Sequence, residues 1–68
     1  MMKLILNNRE EYFEPELLNI SELMAIKKFT YPKIIVKVNH RIIEKDDFQY
    51  TYLKEGDHIV ILHMLAGG

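Results

Sequence analysis

An α+β architecture, one mixed sheet of four to five strands with one main helix across one face, is what this 68-residue sequence predicts. Three observations carry it. A short apolar run breaks at Asn7-Asn8 and resumes through Arg9 to Phe13, one capped segment beginning at Asn19 has helical spacing, and two later runs, 33–38 and 58–64, are rich in β-branched residues.

The first run, residues 2–6, alternates so that Met2, Leu4 and Leu6 face one way and Lys3 and Ile5 the other. Asparagine tolerates positive φ, so Asn7-Asn8 reads as a tight hairpin turn. Pro15 then interrupts the pattern and places a loop before the next element. Asn19 with Glu22 three residues later has the form of a capping box. Ile20, Leu23, Met24 and Lys27 follow at helical spacing, with Leu18 and Ile26 widening the apolar side, and the helix runs to about Lys28. Tyr31-Pro32 ends that segment. In the next run Ile34, Val36 and Val38 share a buried face. Asn39-His40-Arg41 is a turn, Ile42-Ile43 starts another short strand, Phe48 anchors a polar stretch to the core, and Tyr50 and Tyr52 pack at an edge. Gly56 supplies a permissive backbone in the turn from Leu53 to Asp57, which launches the last strand from His58 to about Met64. A hairpin, a helix and returning strands on one sheet make the β-grasp, or ubiquitin-like, arrangement. Residues 1–63 are expected to form that single domain, and residues 64–68 a flexible tail.

A chain of this length buries about 60% of its unfolded surface and is marginally stable. With 49% hydrophobic and 28% charged residues it is too apolar to be disordered. It has no cysteine, so disulfides, cysteine zinc sites and side-chain thiolate chemistry are all excluded. A net charge of −1 without a basic stripe argues against nucleic acid as partner. No apolar run approaches the ~20 residues of a membrane span, and the N-terminal apolar stretch is too short for a signal peptide. A cytoplasmic protein without membrane contact is expected.

The residue types that carry chemistry are scattered. His58 and His63 lie five apart on one strand and point to opposite faces, and His40 sits in a turn, so no histidine metal site is expected. Glu10-Glu11 and Asp46-Asp47 fall on solvated edges and loops, without the apolar cleft that separates the pKa values of a catalytic pair. No glycine-rich phosphate loop is present. An active site inside the domain, and a bound cofactor, are therefore not expected.

Two other features remain. The last strand is apolar on both faces, Ile59 and Ile61 alternating with Val60 and Leu62, whereas a single helix covers only one face. A second apolar face marks a partner surface, to which Ile5, Ile35, Ile59 and Ile61 are assigned, with Tyr12 as a further contributor. The strand then leads through Met64, Leu65 and Ala66 to Gly67-Gly68. Glycine is about 7% of average residues, so a chance pair at one fixed place has odds of roughly 1 in 200. A terminal carboxylate has a pKa near 3.5 and is ionised at neutral pH, a weak nucleophile that needs activation (about 3.5 by model compounds). Without Cβ atoms the glycines fit a narrow cleft, and residues 64–68 span about 16 to 18 Å when extended. A partner enzyme can thus thread Met64, Leu65, Ala66 and Gly67 toward its ATP site, where the Gly68 carboxylate attacks the α-phosphate to give an acyl adenylate.

Along essentially its whole length the chain resembles the ThiS family of thiamin-pathway sulfur carriers. The hairpin around Leu6-Asn7, the helix entry Ile20-Ser21-Glu22-Leu23, Val38-Asn39 followed by Ile42-Ile43 and Phe48, the turn Leu53-Lys54-Glu55-Gly56-Asp57, and Ala66-Gly67-Gly68 carry the resemblance. It departs from the family pattern at His40, at Glu44-Lys45 and at Phe48, none of which touches the tail. The resemblance implies that Gly68 is adenylated by a ThiF-like adenylyltransferase. Sulfur from a cysteine desulfurase or another sulfurtransferase then makes a C-terminal thiocarboxylate, which supplies thiazole synthase. It further implies a carrier and cosubstrate, with ATP bound by the partner. Related carriers for molybdopterin (MoaD-like) or other metabolites share the Gly-Asp turn and the Gly-Gly end, although molybdopterin synthase small subunits are usually longer. Two readings from other classes stand beside it: a ubiquitin-like modifier joined to a target lysine through Gly68, and a β-grasp binding module whose glycines are incidental.

Overall fold

The structure, a computed structural model, describes residues 1–29 and 33–63. Strand β1 (Met2–Leu6) buries Met2, Leu4 and Leu6 and leaves Lys3 and Ile5 half-buried, the alternation its sequence predicts. Asn7 (φ 50°) and Asn8 (φ 69°) turn the chain into β2 (Arg9–Phe13), which pairs antiparallel with β1 from Met2↔Phe13 to Leu6↔Arg9. A two-residue hairpin turn of this hand needs positive φ at both positions, which asparagine meets at low steric cost. After the loop at Pro15, the two-residue strand β3 (Leu18–Asn19) pairs antiparallel with β6 (Tyr52–Leu53). That pair corrects two expectations: Leu18 is buried in a strand and does not widen the helix, and Leu53 is a strand residue ahead of the turn.

Helix α1 (Ile20–Lys27) begins with the expected capping box. Asn19 Oδ1 accepts from the Glu22 N–H at 2.7 Å, and Glu22 Oε1 accepts from the Asn19 N–H at 2.9 Å, satisfying two otherwise orphaned donors. At the other end Lys28 turns left-handed (φ 59°), its N–H donating to Ala25 O and the Phe29 N–H to Met24 O. This is a Schellman closure with lysine where glycine is usual. The helix therefore stops before Tyr31-Pro32, the expected terminator, which lies outside the described residues. Ile20 and Leu23 are fully buried and Met24 packs beside them, but Ile26 is half exposed, because the helical repeat carries it round to the flank of the arc that Ile20, Leu23 and Met24 turn to the sheet. Lys27 instead reaches β2, where its Nζ meets Glu11 Oε1 at 2.6 Å.

Strand β4 (Ile34–Val38) turns at Asn39 and His40, both at positive φ, into β5 (Arg41–Ile43). Ile34, Val36 and Val38 face the core as expected. A 3-10 helix over Lys45–Tyr50 carries the buried Phe48, while Tyr50 is largely and Tyr52 half exposed. Gly56 (φ 83°) makes the turn into β7 (His58–His63). The five long strands form one sheet in the order β2-β1-β7-β4-β5, with β7 parallel to β1 and antiparallel to β4. α1, the 3-10 helix and the small β3-β6 ribbon cover one face, and the core lies between that layer and the sheet. This is the expected α+β, β-grasp architecture, with five strands in the main sheet. Among the described residues no helix is long and apolar enough to cross a membrane.

Candidate functional site

The geometry that bears on function is that of β7 and the two faces it separates. Strand register decides which side chains point where, because partners across a ladder share a face. Ile59 is paired with Val38 and Leu6, and Ile61 with Val36, so both point under α1 and are buried, at 1% and 6% exposure. Their assignment to a partner surface is thereby corrected. The alternation was right and the face was inverted, since a strand apolar on both sides does not reveal from its own sequence which set goes inside. Ile5 and Ile35 do lie on the outer face, both half-buried, as does Tyr12 through its pairing with Lys3. The residues β7 contributes there are Val60 and Leu62, opposite Lys37 and Ile35. Ile42, opposite Lys37 on β5, completes the row.

The outer face thus carries apolar residues on all five strands, Tyr12, Ile5, Val60, Leu62, Ile35 and Ile42, with Ile35 and Leu62 directly paired and the others set diagonally among polar neighbours. Leu62, Tyr12 and Ile42 are more than half exposed. Lys3, Glu10, Lys37 and His58 share the same parity and supply its polar members. An apolar core with scattered charges is the composition of a protein contact surface. Sequence reasoning missed Val60, Leu62 and Ile42. The available signal was the Ile34, Val36, Val38 pattern of β4, which fixes the inward parity of its neighbour once the antiparallel register is known.

Asparagine side chains from the neighbouring turns brace β7 at its start and again within the strand. At its start Asn39 accepts from the His58 N–H through Oδ1 at 2.9 Å and donates through Nδ2 to Asp57 Oδ1 at 2.9 Å. The second Asp57 oxygen accepts from the Lys54 N–H at 2.8 Å. Asp57 is buried, and its two carboxylate oxygens are occupied in holding the β4-β5 turn to the turn before β7. Further along, Asn7 Oδ1 accepts from the Ile61 N–H at 2.8 Å.

Acidic and histidine pairs are dispersed. Glu10 and Glu11 point to opposite faces of β2, with Glu11 bound to Lys27, and Asp46 and Asp47 are exposed in the first turn of the 3-10 helix. Among the described residues no group of three or more His, Asp or Glu side chains is arranged to hold a metal ion. The described part of β7 ends at His63, opposite Ile34. Met64, Leu65, Ala66, Gly67 and Gly68, assigned to tail recognition and activation, lie outside the described residues.

Comparison with known proteins covers nearly the whole chain. The model of the ThiS family matches residues 3–68. The chain is similar to the crystal structure of the thiamine biosynthesis protein ThiS from Geobacter metallireducens, with a TM-score of 0.88, 29% identity, and 98% of this chain and 100% of that one covered. A solution structure of a thiamine biosynthesis protein from the same organism aligns with a TM-score of 0.81 at 29% identity, over 98% of this chain and 88% of that one. No curated protein matches the chain.

Proposed function

The chain belongs to the ThiS family, and from that premise we propose that it is a sulfur carrier of thiamine biosynthesis whose working group is the Gly68 carboxylate. The observation that carries this reading is the family match, which runs from Lys3 through Gly68 and so takes in the tail as well as the fold. In the first step the ionised carboxylate attacks the α-phosphate of ATP held by a ThiF-like adenylyltransferase. Pyrophosphate leaves, and the product is an acyl adenylate. A persulfide from a cysteine desulfurase or another sulfurtransferase then attacks the acyl carbon, AMP leaves with its electron pair, and thiol reduction of the acyl disulfide releases the thiocarboxylate. That sulfur goes to thiazole synthase.

The protein's own contribution is presentation. It acts as a carrier and cosubstrate in the cytoplasm, ATP being bound by the partner, and the apolar outer face from Ile5 to Ile42 docks the enzymes that use the tail. Glycine at 67 and 68 admits the backbone to a narrow cleft that a Cβ would obstruct. Intact-mass measurement with ATP, a sulfur donor and the cognate adenylyltransferase tests the reading. The expected product has one oxygen replaced by sulfur. An unchanged mass accompanied by a ladder of larger conjugates would overturn it in favour of a modifier joined to lysine.

A further inference from the structure

The hold on β7 does not end where β1 ends. In the parallel ladder the Ile5 N–H donates to Asp57 O and the Asn7 N–H to Ile59 O, both at 2.9 Å. A further strand residue would accept the next rung, from the Ile61 N–H, with its own carbonyl. Asn7 cannot do so, because at φ 50° its backbone has already entered the hairpin turn. Its side chain takes over: Oδ1 stands 2.8 Å from Ile61 N, a rung made by an amide that imitates a peptide carbonyl. Asn8, its neighbour at φ 69°, shares the turn but not this role.

We propose that Asn7 is a positioning residue, extending the two-sided clamp on β7 from Ile59 to Ile61 and so holding in place the strand that precedes residues 64–68. The idea rests on the carrier reading above, since the placement of that strand matters to a partner only if the tail must enter the partner's site. On the other flank β4 already pairs with β7 as far as Ile34↔His63. With Asn7 in place, the strand is held from both sides two residues nearer its exit than β1 alone permits.

Two substitutions separate this role from the turn's. Asn7→Gly keeps the left-handed backbone without strain and removes the acceptor, whereas Asn7→Asp restores an acceptor at the same reach. Asn8→Gly is the turn control. In the isolated protein, amide exchange at Ile61 should quicken about tenfold in Asn7→Gly, the effect of losing one hydrogen bond of ordinary strength, and return in Asn7→Asp. At a temperature where every variant is folded, KM of the adenylation reaction for the carrier should rise about three- to tenfold in Asn7→Gly at unchanged kcat, because ordering once built in must be supplied on binding. Asn7→Asp should recover the KM, and Asn8→Gly should not alter it. Unchanged Ile61 exchange, or an unchanged KM while the wild type is adenylated normally, would overturn the proposal. Failure of the wild type itself to be adenylated would instead overturn the carrier reading, and the positioning role with it, while exchange at Ile61 still decides the clamp.

Discussion

Five non-glycine residues among those described hold a left-handed backbone: Asn7, Asn8, Lys28, Asn39 and His40. Four of them fill two-residue hairpin turns, where the alternative to positive φ is loss of strand register. Lys28 differs, because it closes a helix with an exposed side chain and carries the usual Cβ penalty of the left-handed conformation. Lys28→Gly should therefore raise stability by about 0.5 to 1 kcal/mol, the strain relieved less the entropy glycine adds to the unfolded chain. In a domain of this size that is about 2 to 8 °C in the thermal midpoint. Asp57 is the opposite case. Its carboxylate is spent on Asn39 and the Lys54 N–H, so Asp57→Ala should cost about 2 to 4 kcal/mol in urea unfolding at an unchanged slope. A loss below about 0.5 kcal/mol would show that solvent replaces both bonds and that the network is incidental.

At the scale of elements, β7 has an inner set that stabilises and an outer set free to bind. Ile59→Ala should cost about 2 to 5 kcal/mol, the range for a buried branched side chain whose site collapses only in part. Leu62→Asp, one face over, should change stability by no more than about 0.5 kcal/mol while weakening capture by the adenylyltransferase, read by titration calorimetry. Equal affinity would remove the outer face from the docking surface. The strands, the helix with its Asn19-Glu22 cap and the inward parity of β4 were legible in the sequence, because runs of five or more residues reveal their period. The inward parity of β7 was not. Both of its faces are apolar, and the deciding information is the pairing of Val36 with Ile61, a relation between residues far apart in the chain. Strands of two residues, Leu18–Asn19 and Tyr52–Leu53, have no period to read, and an asparagine in a turn does not announce which distant N–H it will meet.

For the whole molecule, the proposed role of residues 64–68 makes a sharp expectation. Gly67→Val should melt and unfold as the wild type does, since the core is built from Met2 to Ile61, yet its adenylation should fall below detection in a pyrophosphate-release assay. Normal turnover would defeat the steric argument for a narrow cleft. On the proposed reading the absence of cysteine has a use, since the chain carries no thiol that would capture a sulfur group intended for an acceptor.

The central place of β7 also bears on how the protein is made. Ribosomes deliver β1-β2 and β4-β5 first, as two hairpins with no strand in common, and an isolated hairpin is marginally stable at best. Only when residues 58–63 emerge are the two joined into one sheet. A chain that stops short of His58 therefore has two hairpins and nothing to join them, and the sheet closes only with the last strand.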